Sequence, residues 1–157
     1  MTSTKYNDDL GMRAAISQAS KSYAEGGIPI GAALVSHVNG ESTVLAASHN
    51  KRMQQNSAIL HGETAALEEA GRLKASVYRT CTMYTTLSPC DMCTGAILLY
   101  KIPRVVIGEN ATFKGAEDLL RSRGVEVVNL DSEECKEMLR RFISEKPEEW
   151  NEDIGEV

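Results

Sequence analysis

The chain has 157 residues, 42% apolar and 25% charged, which suits one domain with a single substantial core and excludes a disordered segment. Its formal charge of −5 counts against a nucleic-acid partner, because an acidic surface repels phosphate backbones and no Lys/Arg run supplies a basic patch. Residues 1–7 lack the basic-then-apolar order of a signal peptide, and no apolar run approaches membrane-spanning length. The expectation is a cytoplasmic protein with access to the nucleus and no membrane partner.

In chain order, Met12, Ile16, Ala19 and Tyr23 recur at helical steps and predict a helix over 10–23, ended by Gly26-Gly27 and Pro29. Residues 30–35 are short, apolar and partly β-branched, so they predict a strand. Asn39-Gly40 is a hairpin signal, because both residues tolerate positive φ, and 43–47 would return antiparallel. Further strands are expected at 82–86, 104–107 and 125–130. Helices are expected at 63–73, 90–100, 116–123 and 133–145, the last capped by Ser132 and stopped by Pro147. A hairpin followed by alternating strands and helices argues for a mixed sheet with helices on its faces. The acidic run from Glu145 to Glu156 reads by itself as a solvated tail.

Two segments carry chemistry, each where a loop meets a predicted helix: Leu60-His61-Gly62-Glu63 and Ser88-Pro89-Cys90-Asp91-Met92-Cys93. A spacing of three puts the Cys90 and Cys93 sulfurs on one helical face, with Pro89 in the first turn. A helix N-terminus favours thiolates, which are what zinc binds. Alone, the pair is equally the pattern of a redox dithiol. His61 adds a third ligand type. One His and two Cys leave a four-coordinate zinc with a place for water, the mark of a catalytic site rather than a structural one. A zinc-bound water has its pKa lowered to roughly 7, and Glu63, two residues from His61, can take its proton. Glu63 is otherwise an ordinary first-turn acid, as Glu68 and Glu69 are read to be. The rival is a closed, noncatalytic zinc module with Cys81 or Cys135 as fourth ligand.

At these residues the chain resembles the zinc-dependent cytidine/deoxycytidylate deaminase family, whose signature is His-x-Glu with Pro-Cys-x-x-Cys. His49-Asn50, His61-Gly62-Glu63, the run from Thr85 to Ile97 and the tail from Trp150 to Glu156 resemble its fungal cytosine deaminase branch. The resemblance implies one domain over 1–157, a three-layer α/β/α sandwich around a mixed five-stranded sheet, in a homodimer. It implies one Zn2+ per subunit on His61, Cys90 and Cys93, with Glu63 as the proton shuttle. Asn50 and the Gly62 amide would hold the pyrimidine edge, and the Ser88 carbonyl would accept from the substrate amino group. Phe113, Trp150 and Asp153 would line a pocket closed by the tail, 147–157. The implied reaction is hydrolytic deamination of a free small-molecule nucleobase, cytosine to uracil, in pyrimidine salvage. The same chemistry on guanine or on tRNA adenosine stays open as the alternative. Met53 stands where the resemblance implies an aromatic residue in the pocket wall.

Overall fold

The computed structural model describes residues 5–157. Helix α1 (Asp8–Ala24) starts where the Asn7 side chain accepts from the Leu10 amide. It leads into β1 (Gly31–Val38) and β2 (Glu41–His49). Both strands of this hairpin exceed the expected lengths. Asn39 and Gly40 sit at φ of 52° and 79°, so the two-residue turn closes directly on the pair Val38–Glu41. A register shift between Leu34 and Val35 leaves Leu45 unpaired, a β-bulge that bends the hairpin.

Two short helices follow the hairpin, α2 (Arg52–Gln55) and then, beyond α3 (Gly62–Ala70), α4 (Ala75–Tyr78). The chain continues as β3 (Cys81–Leu87), α5 (Asp91–Tyr100), β4 (Arg104–Glu109), α6 (Glu117–Ser122), β5 (Glu126–Asn129) and α7 (Glu133–Glu145). It ends in α8 (Pro147–Asp153). Ser132 caps α7 as expected, accepting from the Cys135 amide. Pro147 does stop α7, but it also opens α8 from the first turn, where its missing N–H costs nothing. The tail expected to be solvated is therefore a helix with Trp150 and Asp153 buried.

The sheet runs β2-β1-β3-β4-β5, with β1 antiparallel to both its neighbours and β3, β4 and β5 parallel. Alternation along the strands splits the core into two faces. Leu34, Met83, Val105 and Ile107 pack with Ala66 of α3, Ile97 of α5 and Leu120 of α6. Ala33, Val35, Tyr84 and Val106 pack on the other side with Met12 and Ile16 of α1 and Cys135 of α7. The result is the expected three-layer α/β/α sandwich. A third cluster, Ile28, Leu87, Leu139, Phe142 and Trp150, holds α8 at the end of the sheet where β3 leaves its C-terminus. Crevices at the carboxyl ends of parallel strands are where α/β sheets build sites.

Candidate active site

His61 is the N-cap of α3 and Cys90 the N-cap of α5, so two helix starts converge. Pro89 stands one residue before that cap rather than in the first turn. The turn into α3 is pinned twice by the Thr64 hydroxyl, which accepts from the His61 amide at 2.9 Å and donates to the Ile59 carbonyl. The turn into α5 is pinned by the loop before α6. The Ala116 amide donates to the Pro89 carbonyl at 3.2 Å, and Gly115 lies so close that a Cβ there would run into the same carbonyl. The Ser88 hydroxyl donates to Glu117 at 2.7 Å and accepts from the Gly115 amide at 2.9 Å. Ser88 is thereby locked with its hydroxyl committed, which fixes its main-chain carbonyl.

One donor atom each from His61, Cys90 and Cys93 lie within 4.8 Å of one another, the one such group of three among the described residues. His61 turns Nδ1 toward the Cys90 sulfur at 3.4 Å and Nε2 toward Asp153 at 3.3 Å. This is the arrangement of a metal-binding imidazole oriented by a carboxylate on its far nitrogen. One imidazole and two sulfurs fit zinc with three protein ligands, the number that leaves a fourth position for water or substrate. Cys81 and Cys135 do not join them. The Cys81 thiol donates to the Val77 carbonyl, and Cys135 is buried against α1. The reading of a closed four-ligand module finds no fourth cysteine here.

The electrostatics of the group are those of a site holding protons where a cation would bind. Burial opposes charge on His61, but hydrogen bonds to Asp153 and Cys90 lift it to about 10. The hydrogen bond from Cys93, against burial and with His61 alongside, lowers Cys90 to about 4. The same bond, with burial added, raises Cys93 well above the ordinary thiol range. Metal binding displaces such protons and is favoured by rising pH. Glu63 is 3% exposed, and burial, reinforced by the charge on Cys90, pushes it up to about 7.

His61, Glu63, Ser88, Cys90, Phe113, Trp150 and Asp153 all line one small cavity of about 20 Å³, walled also by Ile30, Leu87 and Ile154. That is room for about one water molecule, not for a base. The sequence-derived residues outside its wall are close by in the fold. Cys93 is fully buried in the first turn of α5. Asn50 is fully buried and donates from Nδ2 to Asp153 at 3.1 Å. Gly62 lets α3 rest on β1, since a Cβ there would meet the Gly31 carbonyl carbon at 3.2 Å. Met53 is a correction: it is 38% exposed on α2 and lines a separate outer depression with Glu149, not the closed cavity. The position expected in the pocket wall is thus outside the wall of that cavity.

Two residues of the site are not singled out by the sequence. Glu117, buried behind Ser88, looks like any acid in a first helical turn. Arg52 donates from Nε to Asp153 at 2.9 Å and from Nη1 to Glu152 at 3.1 Å. Its position two residues after Asn50 is the sole sequence signal.

Residues 5–109 match the family model for the cytidine and deoxycytidylate deaminase zinc-binding region. The chain is 58% identical to the cytosine deaminase of Candida albicans, over 96% of this chain and 99% of that protein. It is 36% identical to the tRNA-specific adenosine deaminase of Bacillus subtilis, over 88% of this chain and 89% of that one. Among solved structures, a tRNA deaminase of A-to-I editing superposes with a TM-score of 0.65 at 27% identity, covering 83% of this chain and 99% of that one. The guanine deaminase of Nitrosomonas europaea shares the fold with a TM-score of 0.69 at 20% identity, covering 88% of this chain and 85% of that one.

Proposed function

Since this chain belongs to the cytidine and deoxycytidylate deaminase zinc-binding family, we propose that it hydrolyses free cytosine to uracil and ammonia. The observation that carries the choice of substrate is the 58% identity to a protein named cytosine deaminase, over nearly the whole of both chains. Glu63, Ser88 and the His61–Cys90 pair face a space of about 20 Å³ roofed by Trp150 and Asp153 of α8, which must widen to admit any base. The net charge of −5 disfavours an RNA.

Zinc held by His61, Cys90 and Cys93 would supply Lewis acidity and a strong oxygen nucleophile at neutral pH. The rest of the reaction falls to side chains. Glu63, poised near neutrality, takes one proton from the attacking water as its oxygen bonds to C4 and delivers that proton to N3. It then takes the second water proton and passes it to the exocyclic nitrogen, so the C4–N bond breaks and ammonia leaves. Uracil keeps the water oxygen at C4 and the proton at N3. The locked Ser88 carbonyl accepts from the amino group and orients it for departure from C4. Asn50 exchanges its Asp153 contact for the O2 and N1 edge, joined by the Gly62 amide. Phe113 and Trp150 close apolar surface over the ring and keep bulk water out. The segment 147–157 acts as the lid, because Trp150, Asp153 and Ile154 stand between the space of about 20 Å³ and the outer surface and must shift for a base to enter.

This reading makes the protein a cytoplasmic enzyme of pyrimidine salvage and a homodimer. Support for the dimer is the outer face of α5, where Met92, Ala96 and Leu99 share a stripe, with Leu99 70% exposed, and Tyr100 adjoins it.

The test is ammonia release by purified zinc-loaded protein from cytosine, with cytidine, guanine and adenine in parallel. Rapid release from cytosine alone is expected. Silence on cytosine with activity on another base would keep the chemistry and overturn the substrate, and silence on all four would overturn the free-base reading.

A further inference from the structure

Among the described residues, Arg52 alone ties the lid to the body of the pocket through two of the lid's acids, Asp153 and Glu152. Its guanidinium donates from Nε to Asp153 at 2.9 Å and from Nη1 to Glu152 at 3.1 Å, across about a hundred positions of sequence. Its own amide donates to Asn50 Oδ1 at 2.9 Å. Asn50 Nδ2 then closes the circuit onto Asp153, and His61 Nε2 meets the same carboxylate at 3.3 Å. Asp153 is thus the meeting point of three donors from the pocket floor, although it belongs to the short helix above it.

The charges say which of those donors matters most. The Asp153 side chain is 2% exposed, and a carboxylate so placed needs a cation beside it. Arg52 is charged at every pH of interest, and its side chain is only 16% exposed, so solvent screens the contact little. The Glu152 contact is different, since that acid is 67% exposed and by itself holds weakly. Trp150 lies on the same helix, within one turn of Asp153, and roofs the same cavity. Whatever holds Asp153 down holds Trp150 down with it.

Building on the lid reading given above, we propose that Arg52 is a positioning residue that latches α8 over the pocket through Asp153 and Glu152. Through Asp153 it also keeps His61 in register with the closed lid, and its own amide steadies Asn50. Arg52 touches neither substrate nor the reacting atoms in this assignment. It sets the share of time the lid spends shut, and so how firmly a bound base is retained.

Trp150 is the sole tryptophan of the chain, so its emission reports the lid directly and without substrate. In zinc-loaded Arg52→Gln, the Trp150 emission should shift to the red and acrylamide should quench it more strongly. Zinc content should stay at the wild-type level, and KM for cytosine should rise about tenfold with kcat changed far less. Arg52→Lys keeps the charge but not the two-pronged geometry and should fall between the two. Glu152→Gln, on an exposed side chain, should give a smaller shift in the same direction. Wild-type emission and quenching in Arg52→Gln would overturn the latch. Should that variant fail to fold, wild-type emission and quenching in Arg52→Lys would overturn it instead. A wild-type protein inert on cytosine would sink the substrate assignment but leave the Trp150 readout to decide the latch.

Discussion

Glu63 illustrates how a residue's place on a helix decides what it can do. At the second position of α3 it is held over the cavity rather than along the helix side, and burial leaves its carboxyl near neutrality. A carboxyl in that range can both accept and return a proton at physiological pH. Replacing it by Gln keeps the shape and removes the proton. Glu63→Gln should therefore retain zinc and melt like the wild type, while kcat for cytosine falls by about 10³-fold or more. Near-normal turnover, measured as ammonia release, would remove Glu63 from the mechanism. The sequence makes this residue visible through its spacing to His61 and the Cys pair. Arg52 and Glu117 stay invisible there because their roles arise from partners about a hundred and about thirty positions away.

At the scale of elements, the molecule is held by a few long-range ties that local pattern does not predict. Asp8 at the start of α1 accepts two hydrogen bonds from Arg104 at the head of β4, at 2.7 and 2.9 Å, and a third from the Tyr84 hydroxyl. The bond to Arg104, opposed by burial and helped by Tyr84, holds the Asp8 carboxyl below its usual range. A group whose folded pKa is depressed stabilises the fold fully above its unfolded value of about 4 and loses that contribution as pH falls through the folded value. Asp8→Asn should lower the urea midpoint at pH 7, and the gap from wild type should close in acid. An equal gap at both pH values would refute the tie. The order of the longer elements is legible in the sequence, because their apolar residues recur with a helix or strand period. The helices α2 and α4 are single turns of four residues, and α8 lies in a run of acids, so none of the three leaves such a trace. Within α8 the local sign of burial is Trp150, an apolar side chain stranded in an acidic segment.

At the scale of the whole molecule, the exposed stripe on α5 is the feature a single subunit leaves unexplained. Gly95, between Met92 and Leu99, opens onto empty space, so another surface can come close to the helix backbone. On the proposed dimer, Leu99→Glu should halve the mass in light scattering, and an unchanged mass would overturn this stripe as the interface. The four thiols also form a pattern across the molecule. Cys81, Cys93 and Cys135 are 1%, 0% and 4% exposed, which leaves Cys90 alone within reach of an oxidant. A metal ion on that sulfur is then its protective cap. Loss of metal would turn a reversible change into a chemical one, since Cys90 has Cys93 at hand to close a disulfide across the place where the ion belongs.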